Sequence, residues 1–285
     1  MNILCTGNER QKNFLSIVKK IKIIVEDLKF NFFLDEDIIV DEFSVKSHSF
    51  NKLNKSNYII NLVISVGGDG SLLSAIQKMS SNQIPILGIH NGNLGFLNQT
   101  NIECFKQSLI EIVDKQIPIN QYDLISASVY SPNGDTKYEM FGFNDIVINH
   151  GNLLRIIKLQ LFENDKLLND YSCDGVIFST PFGSTAYSLS AGGPIVSPDI
   201  DSIIITPISS HSLSSRSIVL SNNSKIKVIF KSEQNNINIV SDGQNHNKLD
   251  FRDSVLINKS KIKAKIISID NNSDYYSKLR NKIGW

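Results

Sequence analysis

The sequence predicts two domains of different class, an open α/β sheet followed by an all-β half. Over residues 1 to about 117, strand-like apolar runs alternate with segments whose apolar residues recur at helical spacing. From about residue 118, short β-rich runs separated by turns replace this alternation. A chain of 285 residues with 41% apolar residues is long enough to form two such cores. We predict domains at 1–117 and 118–285, and leave open whether the last residues pack back on the first domain.

The individual elements follow from hydrophobic period and turn residues. In the first half the pattern predicts, in chain order, a strand at 2–6, a helix at 14–24, a strand at 58–66, a helix at 72–79, a strand at 84–89 and a helix at 102–113. In the second half it predicts turns at 131–135 and 222–223, and a Gly/Ser-rich helix start near Gly183. No long linker separates the halves, so we expect the active site in the crevice between them.

Composition and charge exclude several classes of protein. Lys plus Arg number 29 against 28 Asp plus Glu, a formal charge of +1, and no run of like charge occurs. Nucleic acid and membrane surfaces are therefore not expected as partners. No signal peptide or membrane-spanning run is recognised. Cys5, Cys104 and Cys173 lack CxxC spacing, which favours reduced thiols. We expect a cytoplasmic globular protein.

The most informative motif is Gly67-Gly68-Asp69-Gly70, which lies between an apolar strand and a periodic helix. Glycines leave room for backbone N–H groups to close on an anionic oxygen at a helix N-terminus. A carboxylate in such a turn repels phosphate, so it needs a role, such as taking a proton from a hydroxyl nucleophile or holding Mg²⁺. Phosphoryl transfer uses both roles. The simpler interpretation is a tight turn in which Asp69 caps the helix.

A second informative segment, residues 174–194, leads a short strand into a turn rich in hydroxyl groups. Ser184 or Thr185 is predicted to cap the following helix, and Tyr187 and Ser190 to share a face with their polar tips toward a ligand. Small neighbouring residues permit close approach of backbone to a flat ring. The simpler interpretation is a capped helix after a Gly/Ser-rich loop.

A third segment places an amide and a carboxylate side by side at a strand end, Asn144 and Asp145. Adjacent strand residues point to opposite faces, so both reach one ligand only if the strand twists or bends there. A capping Asn beside a surface Asp is the simpler interpretation. Four His residues outside these motifs, His48, His150, His211 and His246, are given no catalytic role, since an isolated His is usually a hydrogen-bonded or surface residue.

Together these segments resemble the NAD kinases, the ATP-NAD 2'-phosphotransferases. The resemblance rests, in the family's order, on residues 67–70, 88–97, 144–145, 174–194 and 242–244. The Ser-Thr-Pro-x-Gly-Ser-Thr-Ala-Tyr signature is highly specific, whereas the Gly-Gly-Asp-Gly turn is shared with lipid kinases and phosphofructokinases. The resemblance implies an N-terminal α/β domain with an open, Rossmann-like sheet, a β-rich C-terminal domain, NAD bound between them, and a homo-oligomer, dimer or tetramer.

The same resemblance assigns roles to residues. Asp69 is implied as the catalytic base for the ribose 2'-hydroxyl, with Gly67, Gly68 and Gly70 facing the phosphates of ATP. Mg²⁺ is implied to bridge those phosphates, with no protein ligand assigned to it. The residues implied for NAD binding are Asp69, Gly70, Phe96, Asn144, Asp145, Arg155, Ser172, Asp174, Thr185, Ala186, Tyr187, Ser188, Leu189, Ser190, Ser209 and Gln244.

Within that set, Asn144 and Asp145 are implied to contact the NAD riboses and Asp174 the nicotinamide end. Residues 185–187 and Ser190 correspond to the adenosine pocket, and Phe96 to an aromatic residue that borders the adenine. The chain departs from the family at four positions: Asp145 replaces the usual Glu, Phe182 a Thr, Ser172 a basic residue common in bacterial members, and Ser217 a Pro that frequently follows Arg216.

Two other classes of function stay open at the level of sequence. A lipid or sugar kinase would share the Gly-Gly-Asp-Gly turn but leaves the hydroxyl-rich segment 180–193 without a purpose. A catalytically silent dinucleotide sensor would keep the pocket and dispense with Asp69. Phosphorylation assays with different acceptors separate the three classes.

Overall fold

A computed structural model describes residues 1–38, 46–50, 59–92, 95–97, 100–114, 117, 119–151, 156–212, 214–231, 233, 236–269 and 275–284. The chain forms two compact units. Unit 1 comprises Met1–Tyr122 together with Ala264–Trp285, and unit 2 comprises Asp123–Lys263. The predicted boundary at residue 117 lies shortly before the division between the units.

Unit 1 contains a parallel sheet with helices. Its elements up to the division are β1 (Asn2–Gly7), α1 (Phe14–Asp27), β2 (Asn31–Asp35), β3 (Lys46–His48), β4 (Leu62–Val66), α2 (Asp69–Met79), β5 (Ile86–Ile89) and α3 (Phe105–Asp114). These strands pair in parallel in the order β5-β4-β1-β2-β3. Strand β4 is buried throughout and leads directly into α2. The turn between them therefore lies at the carboxyl edge of the sheet, where open α/β sheets place their ligands.

Unit 2 is built from antiparallel strands. The elements from the division onward are β6 (Ile119–Tyr130), β7 (Thr136–Gly142), β8 (Asp145–His150), β9 (Ile157–Glu163), β10 (Lys166–Cys173), β11 (Gly175–Ser179), a 3-10 helix (Phe182–Thr185), α4 (Tyr187–Ser190), β12 (Ser202–Ile208), β13 (Ile218–Ser221), β14 (Ile226–Phe230), β15 (Ile237–Ser241), β16 (Asn245–Leu249) and β17 (Ser254–Ile267).

Two sheets of unit 2 share one apolar core. Strands β10-β9-β14-β17 form one sheet, in which β6 pairs with β17 and β7 pairs with β6, and β13-β12-β11-β8-β15-β16 form the other. Buried residues of both meet in a single cluster, for example Leu159 and Val228 from the first sheet with Ile148, Phe178 and Ile239 from the second. Alternating burial along β9 and β14 explains their pattern of apolar and polar residues.

The chain returns to unit 1 at the end of β17. There it forms α5 (Tyr275–Ile283), in which Leu279 is fully buried. Among the described residues, no helix is long and apolar enough to cross a bilayer.

The predicted fold class is confirmed, but several details of the prediction were wrong. Strands β2 and β3 were not predicted, because they are only five and three residues long and β2 is separated from α1 by three residues without Gly or Pro. The second predicted strand begins at Leu62 rather than residue 58, which lies outside the described residues. The turn at 131–135 is confirmed as the connection of β6 to β7. The turn at 222–223 is also confirmed, with the N–H of Ser224 donating to the Ser221 carbonyl, and it connects two strands of different sheets, β13 and β14.

Candidate functional site

In the Gly-Gly-Asp-Gly turn, one position requires glycine and two others have space for a side chain. Gly67 has φ +143°, and a Cβ there would lie 2.3 Å from Ser71 Oγ, so this position requires glycine. Gly68 is extended and precedes α2. An added Cβ at Gly68 or Gly70 would meet no atom of the described residues within 4 Å. As far as the described residues show, the start of α2 therefore borders open space, and its N-terminal N–H groups favour an anion there.

Asp69 is the first residue of α2, and its carboxylate faces the loop at residues 95–97. The N–H of Phe96 donates to Asp69 Oδ2 at 2.8 Å, and the N–H of Leu97 donates to Oδ1 at 3.1 Å. The Nζ of Lys282 in α5 also donates to Oδ2, at 3.0 Å. The N-cap of α2 is Gly68, so the interpretation of Asp69 as the cap is wrong. Two backbone donors hold the carboxylate in one orientation, as a positioned proton acceptor requires.

Gly95 permits this contact between the loop and Asp69. A Cβ on Gly95 would lie 1.9 Å from Asp69 Oδ1 and 2.6 Å from its Cγ. The neighbouring ring of Phe96 lies 6.3 Å from that of Tyr275, and Lys282 Nζ lies 4.7 Å from the centre of the Phe96 ring. The predicted residues 67–70 and Phe96 are thus brought together, with two residues of α5 that the sequence did not indicate. Residues 93 and 94 of the motif at 88–97 lie outside the described residues.

A cavity of about 340 Å³ in unit 2 collects a second group of predicted residues. It is lined by Asn144, Asp145, Val147, Asn149, Ala186, Tyr187, Val240, Asp242, Gly243 and His246. Four of these were predicted to bind NAD. The others, including His246, were not, because their roles depend on pairing between β8, β15 and β16. A larger cavity of about 770 Å³ in unit 2, beside the turn at 131–134, contains none of the predicted residues.

The side chain of Asp242 shapes this cavity. Its carboxylate accepts the backbone N–H groups of Phe143 at 2.8 Å, Asn144 at 2.7 Å and Asp145 at 3.2 Å. Three donors on consecutive residues force the chain to bend before β8, so adjacent Asn144 and Asp145 both line the cavity. This is the bend that the sequence required for the two side chains to reach one ligand. Asp242 and Gly243 both have positive φ in the hairpin turn between β15 and β16. An Asp-Gly pair between strands is a recognisable signal for such a turn.

Asp145 is a buried acid with an altered proton affinity. Its side chain is 4% exposed. Burial, and secondarily the charge of Asp242, raise the pKa of Asp145 to about 7. Near neutral pH this carboxyl group can therefore either donate or accept a hydrogen bond, which suits contact with a sugar hydroxyl.

The segment at 182–190 differs from its predicted local structure. Neither Ser184 nor Thr185 caps α4; the N-cap is Ala186, with no side-chain hydrogen bond. The Ser184 hydroxyl bonds the backbone of Val196, and the Thr185 hydroxyl donates to the Phe182 carbonyl. These contacts hold the 3-10 helix that precedes the single turn of α4, and they explain the hydroxyl-rich sequence as internal bonding.

The remaining predicted residues fall in different places. Ser188 is buried and its hydroxyl bonds that of Thr206, away from the cavity, whereas Ser190 is exposed. Asp174 precedes β11 and lies opposite His150 at the far end of β8, about 17 Å along that strand from Asp145, and Ser209 follows the paired strand β12. The others are Ser172 in β10, half-buried Leu189 in α4, Gln244 in the turn before β16, and Arg155, which lies outside the described residues.

Known proteins are similar to this chain over its whole length. The family model for the ATP-NAD kinase N-terminal domain matches residues 12–117, and that for the C-terminal domain matches residues 143–269. The NAD kinase of Pseudomonas putida is 33% identical over 100% of this chain and 95% of its own. The NAD kinase of Clostridium tetani is 38% identical over 85% of this chain and 87% of its own.

Two solved structures are also similar. An NAD kinase from Archaeoglobus fulgidus in complex with ATP has a TM-score of 0.76 and 26% identity, covering 100% of this chain and 98% of the other. Yeast NADH kinase complexed with NADH has a TM-score of 0.89, covering 100% of this chain and 88% of the other. At 22% identity, the second likeness supports the fold alone.

Proposed function

This chain belongs to the ATP-NAD kinase family and is an NAD kinase, and we propose that it phosphorylates the 2'-hydroxyl of the adenosine ribose of NAD with Asp69 as base. The product would be NADP. The observation that carries this proposal is the Asp69 carboxylate, fixed by the N–H groups of Phe96 and Leu97 beside the open start of α2. Such an acceptor beside a phosphate-binding helix terminus suits transfer of a phosphoryl group to a hydroxyl.

The proposed reaction moves one proton and one phosphoryl group. Asp69 takes the proton of the 2'-hydroxyl, and the resulting oxygen attacks the γ-phosphorus of ATP. The bond from that phosphorus to the β–γ bridging oxygen breaks, and the electron pair leaves with ADP. Gly67, Gly68 and Gly70 would admit the phosphates, because side chains at Gly68 and Gly70 would project into their space.

The cavity of unit 2 is proposed to hold the adenosine part of NAD. Ala186 and Tyr187 offer a flat wall and a phenol, and Asn144 and Asp145 offer groups for ribose hydroxyls. Asp174, about 17 Å along β8 from Asp145, suits contact with the distant nicotinamide end of an extended dinucleotide. Phe96 and Thr185, with the other residues implied by the family resemblance, are proposed as further contacts.

Mg²⁺ is proposed as the divalent cation, held mainly by the phosphates of ATP. The available donors support this: Asp69 is the carboxylate of the turn, and no group of three His, Cys, Asp or Glu side chains suited to a metal occurs among the described residues. When bound, Mg²⁺ would neutralise charge on the phosphates. We also propose a cytoplasmic homo-oligomer; free Cys5, Cys104 and Cys173 support a reducing compartment.

The test of this function is Asp69→Asn, which keeps size and hydrogen bonding but removes basicity. We expect kcat for NAD phosphorylation to fall about 10² to 10⁴-fold, with little change in NAD affinity. Diacylglycerol and fructose 6-phosphate serve as competing acceptors, and neither should be phosphorylated. A variant with near wild-type turnover would exclude Asp69 as the base. Phosphorylation of another acceptor in preference to NAD would refute the proposed substrate.

A further inference from the structure

Helix α5 brings two lysines to the loop that holds Asp69. Lys278 and Lys282 are four residues apart and so lie on the same helical face. Lys278 Nζ donates to the Phe96 carbonyl at 3.5 Å, and Lys282 Nζ donates to Asp69 Oδ2 at 3.0 Å. All these residues belong to unit 1. The end of the chain therefore supplies positive charge to the start of α2.

The Lys282 ammonium occupies a position where a cation has a chemical purpose. The Gly-Gly-Asp-Gly turn contains no cation of its own, and its only charged side chain is the Asp69 carboxylate. That carboxylate would repel an arriving triphosphate, so phosphate binding beside it needs compensating positive charge. Lys282 cancels the charge of Asp69 in the structure described.

The Lys282 side chain can reach more than one partner. It is 37% exposed, so its ammonium is accessible from solvent. Its Nζ lies 4.7 Å from the centre of the Phe96 ring. This cation–π attraction keeps the ammonium near the site while it exchanges one hydrogen-bond partner for another. Lysine is suited to such exchange, because it is a compact charge on a flexible chain with three donors. Asp69 and an anion bound at the start of α2 would both lie within its reach.

We propose that Lys282 is a phosphate-binding residue of the transfer reaction, paired with Asp69 before ATP binds and bonded to the γ-phosphoryl oxygens afterwards. This inference rests on the proposed function of Asp69. Transfer of Lys282 to the phosphate leaves Asp69 Oδ2 with the Phe96 N–H and room for the ribose hydroxyl. The ammonium then stabilises the negative charge of the phosphoryl group while the γ-phosphorus to bridging-oxygen bond breaks and ADP leaves with the electron pair.

Steady-state kinetics of the intact enzyme test the proposal. Lys282→Met removes the charge and retains the length of the side chain, whereas Lys282→Arg retains the charge. Arg280→Met is the matched control, because exposed Arg280 lies on the same helix and its guanidinium bonds Ser277 instead. We expect Lys282→Met to lower kcat/KM for ATP about 10- to 100-fold, the loss of one charge-assisted hydrogen bond. KM for NAD should change less than about two-fold, Lys282→Arg should recover most of the loss, and Arg280→Met should behave as wild type.

A second comparison separates phosphate binding from mere neutralisation of Asp69. In the Asp69→Asn background turnover is slow, so ATP affinity can be titrated by calorimetry with Mg²⁺ and NAD present. Removing the competing carboxylate should tighten ATP binding, and adding Lys282→Met should then weaken it about 10-fold or more. If Lys282→Met has no effect in this background, Lys282 acts only through Asp69 and the proposal is overturned.

Other outcomes also decide the matter. If Lys282→Met has an equal or higher kcat/KM for ATP, the proposal is overturned. The ion pair would then only hold Asp69 before ATP binds, or serve as a packing contact. Thermal unfolding is measured for each variant, and if Lys282→Met does not fold, Lys282→Gln takes its place; failure of both to fold would assign the pair to stability alone. An inactive wild type whose ATP affinity still depends on Lys282 would refute the proposed function and leave the phosphate contact standing.

Discussion

The contact between Gly95 and Asp69 can be broken by adding one methyl group. In Gly95→Ala the Cβ would lie 1.9 Å from Asp69 Oδ1 and 2.8 Å from Oδ2. An ordinary contact begins near 3.4 Å, so the carboxylate must withdraw by about 1.5 Å. The Gly95 backbone is not in the left-handed region, and alanine therefore adds a steric effect without backbone strain.

The expected consequence is a displaced base in a folded enzyme. A withdrawal of this size breaks the bonds from the Phe96 and Leu97 N–H groups. Misplacement of a catalytic group by about 1 Å costs on the order of 10²-fold in rate, so kcat should fall by about that factor. KM for ATP and the unfolding temperature should change much less, because the Asp69 side chain is 24% exposed and can turn toward solvent.

A double-mutant cycle tests the reasoning. Initial rates of NADP formation are measured for Gly95→Ala, Asp69→Asn and the double variant at saturating ATP and NAD. If Gly95→Ala acts by displacing Asp69, the double variant should be no slower than Asp69→Asn alone. Near wild-type turnover in Gly95→Ala would refute the steric argument. Fully additive losses would show that Gly95 acts by another route.

Two further predictions concern the acid of unit 2 and the open glycine. Because burial and Asp242 raise the pKa of Asp145 to about 7, its native form binds protons that the unfolded chain releases above about pH 4. Relative to Asp145→Asn, the unfolding free energy of the wild type should fall by about 4 kcal/mol between about pH 4 and 7, measured by urea unfolding at fixed pH. Asp242→Asn should reduce this fall in unfolding free energy, because it removes the second cause of the raised pKa. If the wild type and Asp145→Asn differ by the same unfolding free energy at every pH, the altered pKa is contradicted. Gly70→Ala should fold as stably as the wild type but raise KM for ATP, because its methyl group enters the phosphate space; an unchanged KM would mean that the phosphates do not approach Gly70.

The first half of the site could be predicted because its signals are local. A buried strand, three glycines, one Asp and a periodic helix follow one another within 62–79, and their spacing alone indicates a phosphate-binding turn. The partner of Asp69 in α5 could not be predicted in this way, since Lys282 lies 213 residues further along the chain. Its position depends on the return of the chain to unit 1 after β17, and no local pattern encodes such a return.

The bend at Asn144 and Asp145 shows a different limit of sequence reasoning. The alternation of strand residues correctly indicated that the two side chains need a bend to share a ligand. What produces the bend is the carboxylate of Asp242, which a turn with two positive φ values carries beside the start of β8. The Asp-Gly signal predicts that turn, but only the pairing of β15 with β8 shows where its carboxylate points.

Under the proposed function, the choice of acceptor comes from unit 2 rather than from the Gly-Gly-Asp-Gly turn. Kinases that act on lipids or sugars share that turn, so the turn specifies a hydroxyl nucleophile and a phosphate but no particular alcohol. In this chain the groups suited to a nucleoside, Asn144, Asp145, Ala186 and Tyr187, line a cavity shaped by three hydrogen bonds to one carboxylate. A variant that loses those bonds should therefore select NAD less well over other alcohols, while the rate of phosphoryl transfer at Asp69 falls less.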